Sequence, residues 1–251
     1  MNLFADAFAW LFSPDRLTGS HPLPTAIAEH LFYTFVSVAI AAVVAVPLGY
    51  LVGHTRRGRD IAVALAGAGR AVPSFGLILL LVLVFGVLHK PAAAITAFVL
   101  LAIPSILAGA YTGIEAIDRA VIDAGRAVGM TQWQVFRKIE VPLSLPLVMA
   151  GIRSAVLQVV ATVTLAAYVG LGGLGFYIIQ GVPLRRFDQI LGGAIAVVIL
   201  ALVLDGIFAL LERVATPRGV TAGRRNPSEP HRATNKEVME QIENYAVEQI
   251  N

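Results

Sequence analysis

Cysteine is absent from all 251 residues, which excludes disulfides, thiolate zinc sites and cysteine nucleophiles. Charge is scarce: Asp, Glu, Lys and Arg make up 14% of the chain, against roughly 25% in an ordinary soluble domain. Hydrophobic residues supply 57% and the mean hydropathy is +0.76, so there is too little polar side chain to clothe a water-soluble body of this length. The five histidines (His21, His30, His54, His89 and His231) are scattered, none with a partner at metal-ligand spacing. No nucleophile elbow and no P-loop occur, so no residue constellation supports an enzyme and nothing here would hold ATP. The formal charge of +3 does not indicate nucleic acid, because the basic residues sit between apolar runs, where they set membrane orientation.

What is present is apolar sequence in long pieces. Residues 30–55, 71–89, 91–114 and 154–184 contain no Asp, Glu, Lys or Arg, and 189–204 is a shorter run of the same kind. About 20 apolar residues at 1.5 Å rise cross a hydrocarbon core of roughly 30 Å. The sequence therefore predicts an all-α integral membrane protein with about five spans, near 31–52, 61–88, 92–114, 145–169 and 190–211. The second span is interrupted by Arg70 and Pro73 and reads as one kinked helix or two pieces. Asp205 lies within the fifth span, either as a functional carboxylate or, the blander reading, near enough to the end to reach interfacial water. With the N-terminus outside, thirteen Lys and Arg face the cytoplasm (seven in loops, six in the tail) and four face out, a positive-inside bias that Arg185 and Arg186 run against.

Residues 1–30 form an expected extracytoplasmic interfacial segment, with Phe4, Phe8, Trp10, Leu11 and Phe12 on a helix lying along the outer leaflet. It does not read as a signal peptide, since Asp6 precedes the apolar patch and no basic leader stands before it. Residues 31–214 are the transmembrane domain. The tail, 215–251, is Pro-, Gly-, Arg- and Ser-rich and reads as a disordered cytoplasmic segment, with a possible short helix at Val238, Ile242 and Tyr245. Gly170, Gly172 and Gly175 spell a dinucleotide-type G-x-G-x-x-G, but in a chargeless run of 31 residues without a βαβ context it reads instead as a bent, closely packed outer connection. Gly49 with Gly53, and Gly109 with Gly113, place small residues on one helix face and would let neighbouring backbones approach.

The richest segment is the loop 115–144. Asp118 is a plausible N-cap, residues 119–128 are helix-compatible, and Gly129 stands where a left-handed residue ends a helix. Thr131 and Gln134 form a capping box, so a second short helix begins at Gln132 and runs to about Ile139, with Pro142 as its stop. Val121, Ala124, Val128, Trp133 and Phe136 give this helix-turn-helix an apolar side that must dock, either on the chain's own helix ends or on another protein.

In this loop Asp123-Ala124-Gly125, three residues, Gly129, nine residues and Ile139-Glu140-Val141-Pro142 resemble the E-A-A, x3, G, x9, I-x-L-P signature of ABC importer permeases. Asp123, Gly125 and Val141 are mild departures. The resemblance implies a coupling helix, carried by Asp123, Ala124, Gly125, Gly129, Ile139 and Pro142, that inserts into a cytoplasmic ATPase subunit. It also implies the five-span, N-out core of the methionine-importer-like class over roughly residues 31–214, in a bacterial inner membrane. More narrowly, Gly151-Ile152-Arg153-Ser154, Gln158-Val159-Val160-Ala161-Thr162, Leu165 through Gly170, Gly172-Gly173-Leu174-Gly175, and Arg70-Ala71-Val72-Pro73-Ser74 are similar to permeases of the osmoprotectant group, which import glycine betaine, choline or carnitine. Implied partners are ATP-binding subunits that hold ATP and Mg, a second permease copy or paralogue, and a separate extracytoplasmic substrate-binding protein, since 215–251 is too short to be one. No cofactor, metal or nucleic acid is expected on this chain.

A quaternary ammonium cargo is held by aromatic faces, which makes Tyr111 and Tyr168 candidates for the translocation path, with ordinary helix packing as their alternative. Gln158, Thr162 and Thr164 share a span and either line the path or bond between helices. A permease for methionine or another amino acid is the alternative cargo. A stand-alone carrier or channel is the alternative mechanism and would depend on Asp205 or Arg70.

Overall fold

A computed structural model describes residues 2–215, apart from the side chains of residues 65, 66 and 68–71. The described chain is helical. In order it forms α1 (Leu3–Leu11), α2 (Asp15–Thr18), α3 (Leu23–Thr55), α4 (Arg59–Ala71), α5 (Ser74–Phe85), α6 (Lys90–Glu115), α7 (Arg119–Ala127), α8 (Gln132–Val135), α9 (Val141–Ala166), α10 (Gly175–Leu184) and α11 (Phe187–Ala215). The expected terminal helix at Val238, Ile242 and Tyr245, with the rest of the tail beyond 215, lies outside the described residues.

Four helical stretches are long and apolar enough to cross a membrane: Leu23–Thr55, Val87–Glu115, Gln132–Val169 and Phe187–Ala215. The expected second span is two helices. Pro73 lacks an amide hydrogen and disfavours helical geometry at the residue before it, and Val72 is accordingly extended at φ −70°, ψ 125°. Neither α4 nor α5 then reaches spanning length. The first span also starts earlier than expected, so residues 23–30 belong to α3 rather than to the interfacial segment. The short apolar helix α10 is an addition: it lies in the same charge-free run as the end of α9, and charge alone could not separate the two.

Helix α6 is the axis of the bundle. Of its most apolar window 61% is buried, against 11% for α11. It is wedged between α3 and α9 by small residues on both sides. An ideal Cβ on Gly49 would lie 2.5 Å from Ala110 Cβ, and one on Gly53 would lie 2.9 Å from Ile114 Cβ. Across the other face, a Cβ on Gly109 would lie 2.6 Å from the Leu147 carbonyl and one on Gly113 2.9 Å from Ser144 Cβ. Both G-x-x-x-G pairs thus sit where backbones touch, which in lipid is a main source of helix association. Around this axis Phe98, Ile106, Val156, Val160 and, from α5, Ile78 form the apolar core.

The end of the bundle where α3 begins is closed by the glycine-rich connection. Gly170 and Gly173 take φ of +76° and +79°, Lys90 Nζ donates to the Gly170 carbonyl at 3.0 Å, and Gly173 N donates to the Glu29 carboxylate at 2.8 Å. The opposite end carries the α7–α8 hairpin.

Candidate functional site: the coupling hairpin and the polar groups of the bundle

The hairpin is built by local chemistry. Asp118 Oδ1 accepts from Ala120 N at 2.9 Å, capping α7. Gly129 turns the chain at φ +84°, with its N–H donating to the Arg126 carbonyl and that of Met130 to the Gly125 carbonyl. Thr131 and Gln134 then cap each other at 3.3 and 2.9 Å, starting α8. A Cβ on Gly125 would come 2.6 Å from Ile139 Cδ1, so this departure from the family's alanine lets the two arms close together.

The expected stop at Pro142 does not occur. After α8 the chain makes a π turn over Phe136–Glu140 and runs straight into α9, with Pro142 in its first turn. A proline in the first turn forfeits no helical bond, and the wide π turn gives room for its ring beside the preceding carbonyls.

One face of the hairpin is fastened to its own bundle and the other is not. Glu140, nearly buried, lies with Oε2 2.5 Å from His54 Nδ1 at the end of α3. Ser144 Oγ lies 3.2 Å from the Tyr50 hydroxyl, and Arg59 pairs with Glu115 at 3.2 Å. Val135 and Gly125 are buried. Trp133 stacks on Phe136, whose edge meets Tyr50. Outward stand Val121, Val128 at 79% exposure and Trp133 at 63%, with Asp123 and Ala124 also exposed. The hairpin thus docks in part on its own helix ends and leaves a second apolar side exposed.

The path candidates do not form one site. Tyr111 is buried in the core near the hairpin end of α6, while Tyr168 stands 63% exposed at the other end of the bundle, edge-on to Phe75 at 5.1 Å. Between them, Gln158 Oε1 accepts from Ser105 at 3.3 Å, and Thr162 and Thr164 turn back to the Gln158 and Val160 carbonyls of their own helix. No group of three or more potential metal ligands occurs among the described residues.

Residues 45–218 match the family model described as binding-protein-dependent transport system inner membrane component. The chain belongs to this family. It is 35% identical over 192 residues, 76% of this chain and 88% of the relative, to the glycine betaine/carnitine/choline transport system permease protein OpuCB of Bacillus subtilis. It is 37% identical over 204 residues, 81% of this chain and 93% of the relative, to the carnitine transport permease protein OpuCB of Listeria monocytogenes. An inward-facing structure of the MetNI methionine ABC transporter superposes with a TM-score of 0.68 at 25% identity, covering 78% of this chain and 96% of that one. The protein is therefore an inner-membrane ABC permease subunit, a transport component rather than an enzyme, working with ATP-binding subunits and a binding protein.

The permease contains a polar link that its sequence did not reveal. Arg153 on α9 grips Asp205 on α11 through two bonds, Nε to Oδ1 at 2.6 Å and Nη2 to Oδ2 at 2.7 Å, with Glu212 at 3.5 Å from Nη1. Asp205 thus answers an arginine on the neighbouring helix, a partner that neither the functional nor the interfacial-water reading names, with a third of its side chain still exposed. His54 likewise finds Glu140, a partner 86 residues away that metal-ligand spacing does not reveal. The Arg70 side chain lies outside those described.

Proposed function

We propose that this permease is the membrane subunit of an ATP-driven importer of small quaternary ammonium osmoprotectants such as glycine betaine, choline or carnitine, delivered by a separate substrate-binding protein. One observation carries the cargo assignment: two relatives at 35% and 37% identity, aligned over 88% and 93% of their own length, bear those compounds in their names. The Phe75–Tyr168 pair supports it: Phe75 is half-buried, Tyr168 is exposed beside the glycine-rich connection, and an exposed ring offers its face to a quaternary ammonium that cannot hydrogen-bond. Tyr168 is the better placed of the two tyrosine candidates, with Gln158, Thr162 and Thr164 on the same helix behind it.

In this reading the hairpin end is cytoplasmic, as the basic residues favour, and the hairpin's Asp123, Ala124, Gly125, Gly129, Ile139 and Pro142 form the coupling element. Its outer face, with Val121, Val128 and Trp133, seats in a partner ATPase that binds ATP and Mg. The sparsely buried face of α11 meets lipid, and a second permease copy or paralogue completes the pathway. ATP-driven approach of the two ATPases swings the bundles between inward-facing and outward-facing states.

The test is reconstitution of the permease with its ATPase and binding protein in proteoliposomes, following labelled betaine, choline, carnitine and methionine. Saturable, ATP-dependent uptake of one or more quaternary amines is expected. Uptake of methionine instead would overturn the cargo, and uptake without the ATPase would establish a stand-alone carrier.

A further inference from the structure

Arg185 and Arg186 are the basic pair that the positive-inside pattern does not explain, and they line a cleft of about 560 Å³ at the end of the bundle opposite the hairpin. The other walls come from α1 and α2, including Leu3, Asp6, Trp10, Asp15 and Arg16. We propose that this cleft binds the headgroup of a zwitterionic phospholipid, one that carries a phosphate diester and a primary ammonium.

The first ground is a set of donors without acceptors. Trp10 is only 6% exposed, yet its Nε1 is buried with no hydrogen-bond partner among the described residues, and the same holds for Arg16 Nε. An indole N–H and a guanidinium can only donate, and leaving such groups dry is costly. The Arg16 guanidinium lies 4.8 Å over the Trp10 ring, so the two donors are held as one unit. Arg185 turns the chain at φ +52° and makes no ion pair among the described residues. A phosphate offers the acceptor oxygens that this group of donors lacks.

The second ground is the carboxylates in the same cleft. Asp188 is engaged by Arg186 at 3.2 Å, but Asp6 and Asp15 form no ion pair with these arginines. Cations and carboxylates left side by side and unpaired match a ligand that carries both signs. A purely anionic headgroup would meet Asp6 and Asp15 as well as the arginines.

The third ground is depth. α1 crosses α11 at Gly192, where an ideal Cβ would lie 2.4 Å from Trp10 Cε3, so the cleft sits beside the first turns of a spanning helix. Phe4 and Phe8 on α1 and Phe12 at its C-cap stand exposed at four-residue spacing, and Leu3 and Phe187 flank the cleft. That is the arrangement of an interfacial helix, with apolar surface for acyl chains beside polar groups at headgroup level. A soluble zwitterion would gain nothing from these apolar flanks.

The assignment does not depend on the cargo and is tested without transport. The full-length permease is released from vesicles of equimolar phosphatidylethanolamine and phosphatidylglycerol, and retained lipid is counted by native mass spectrometry. One phosphatidylethanolamine per chain is expected to survive. W10F keeps the ring but removes the indole donor, and R16Q removes the guanidinium. Each should weaken retention about tenfold, the scale of one hydrogen bond to a charged group. R213Q, at the far end of α11, should match the wild type, and monodisperse elution of all variants confirms that they are folded. Equal retention in the wild type, W10F and R16Q would overturn the site, as would preferential retention of phosphatidylglycerol. Displacement of the lipid by glycerophosphoethanolamine or glycine betaine at comparable concentration would assign the cleft to a soluble zwitterion. Loss of binding-protein association in R16Q with lipid retention unchanged would assign it to a protein partner.

Discussion

Gly129 separates what the hairpin needs for itself from what it offers a partner. The residue holds φ +84°, and an ideal Cβ placed on it meets no atom within 4 Å. Any side chain there incurs backbone strain, about 1–2 kcal/mol for an L-residue in the left-handed region, and meets nothing of its own chain at the Cβ. Asn, which tolerates that region, should be milder than Ala. A cost of about 1–2 kcal/mol lowers the ordered fraction of the turn relative to its opened form by roughly 5- to 30-fold, which the capping box and the Glu140–His54 link can largely absorb. G129N and G129A should therefore retain most ATP-driven uptake. G129L has the same backbone strain as G129A, but its additional atoms extend from an exposed turn whose Cβ position is clear of the chain, so on the coupling reading they clash with a docked ATPase. It should abolish uptake and ATPase co-purification while leaving the amount of inserted permease unchanged. The assays are uptake in proteoliposomes, co-purification and quantitative blotting of membranes. If G129L and G129A behave alike in both functional assays, this face of the hairpin is not an interface and the coupling assignment fails.

Three further tests probe the bundle. G49A pushes a methyl to within 2.5 Å of Ala110 Cβ and 2.9 Å of the Leu107 carbonyl. Overpacking of this kind costs about 1–3 kcal/mol, so a lowered midpoint of thermal unfolding is expected, partly restored by A110G. G206A, where no atom lies within 4 Å, is the control and should not destabilise. D205N removes the carboxylate that receives two Arg153 bonds, so it should loosen α11 and reduce uptake, and the exchange R153D/D205R should recover more of both than either single change. No recovery would mean that the pair's orientation rather than its attraction matters. P73A restores an amide and relaxes Val72, so hydrogen exchange should show residues 72–74 newly protected as α4 and α5 join; unchanged exchange would place the cause of the break elsewhere.

What could be read from the sequence was local or compositional. Long charge-free runs mark spanning helices because lipid leaves no alternative, and Asp118, Gly129, Thr131 and Gln134 mark the hairpin because each satisfies a backbone group within a few residues. The G-x-x-x-G pairs were visible as spacing, although only the structure shows which neighbour each one touches. Pro142 misled because proline is tolerated in the first turn of a helix as well as after the last, and sequence does not say which side of the boundary it occupies. Arg153 with Asp205, and His54 with Glu140, are 52 and 86 residues apart. Such pairings have no period or motif, since they depend on which faces of two helices the packing of a third has turned together.

The corrected boundary at Pro142 changes how the hairpin can act. With a stop there, α8 would hang from the bundle on a loop, and a push on Trp133 would be lost in bending. With the π turn in its place, Gln132–Val169 is one continuous helical stretch of 38 residues, roughly 55 Å long. Its hairpin end is tied to α3 through Glu140 and His54, and through Ser144 and Tyr50. Its middle is tied to α11 through Arg153 and Asp205, and its far end carries Tyr168. If the hairpin couples to an ATPase as proposed, a force on its exposed face should not move α8 alone but should turn α9 against the close glycine contacts of α6 and draw α11 with it. The substitutions that most impair coupling should accordingly include residues far from the hairpin, at Arg153 and Asp205, whereas changes of equal size on the outward face of α11, such as L202A, should leave transport intact. If L202A impairs ATP-driven uptake as severely as D205N at equal membrane levels, motion does not travel along this rod.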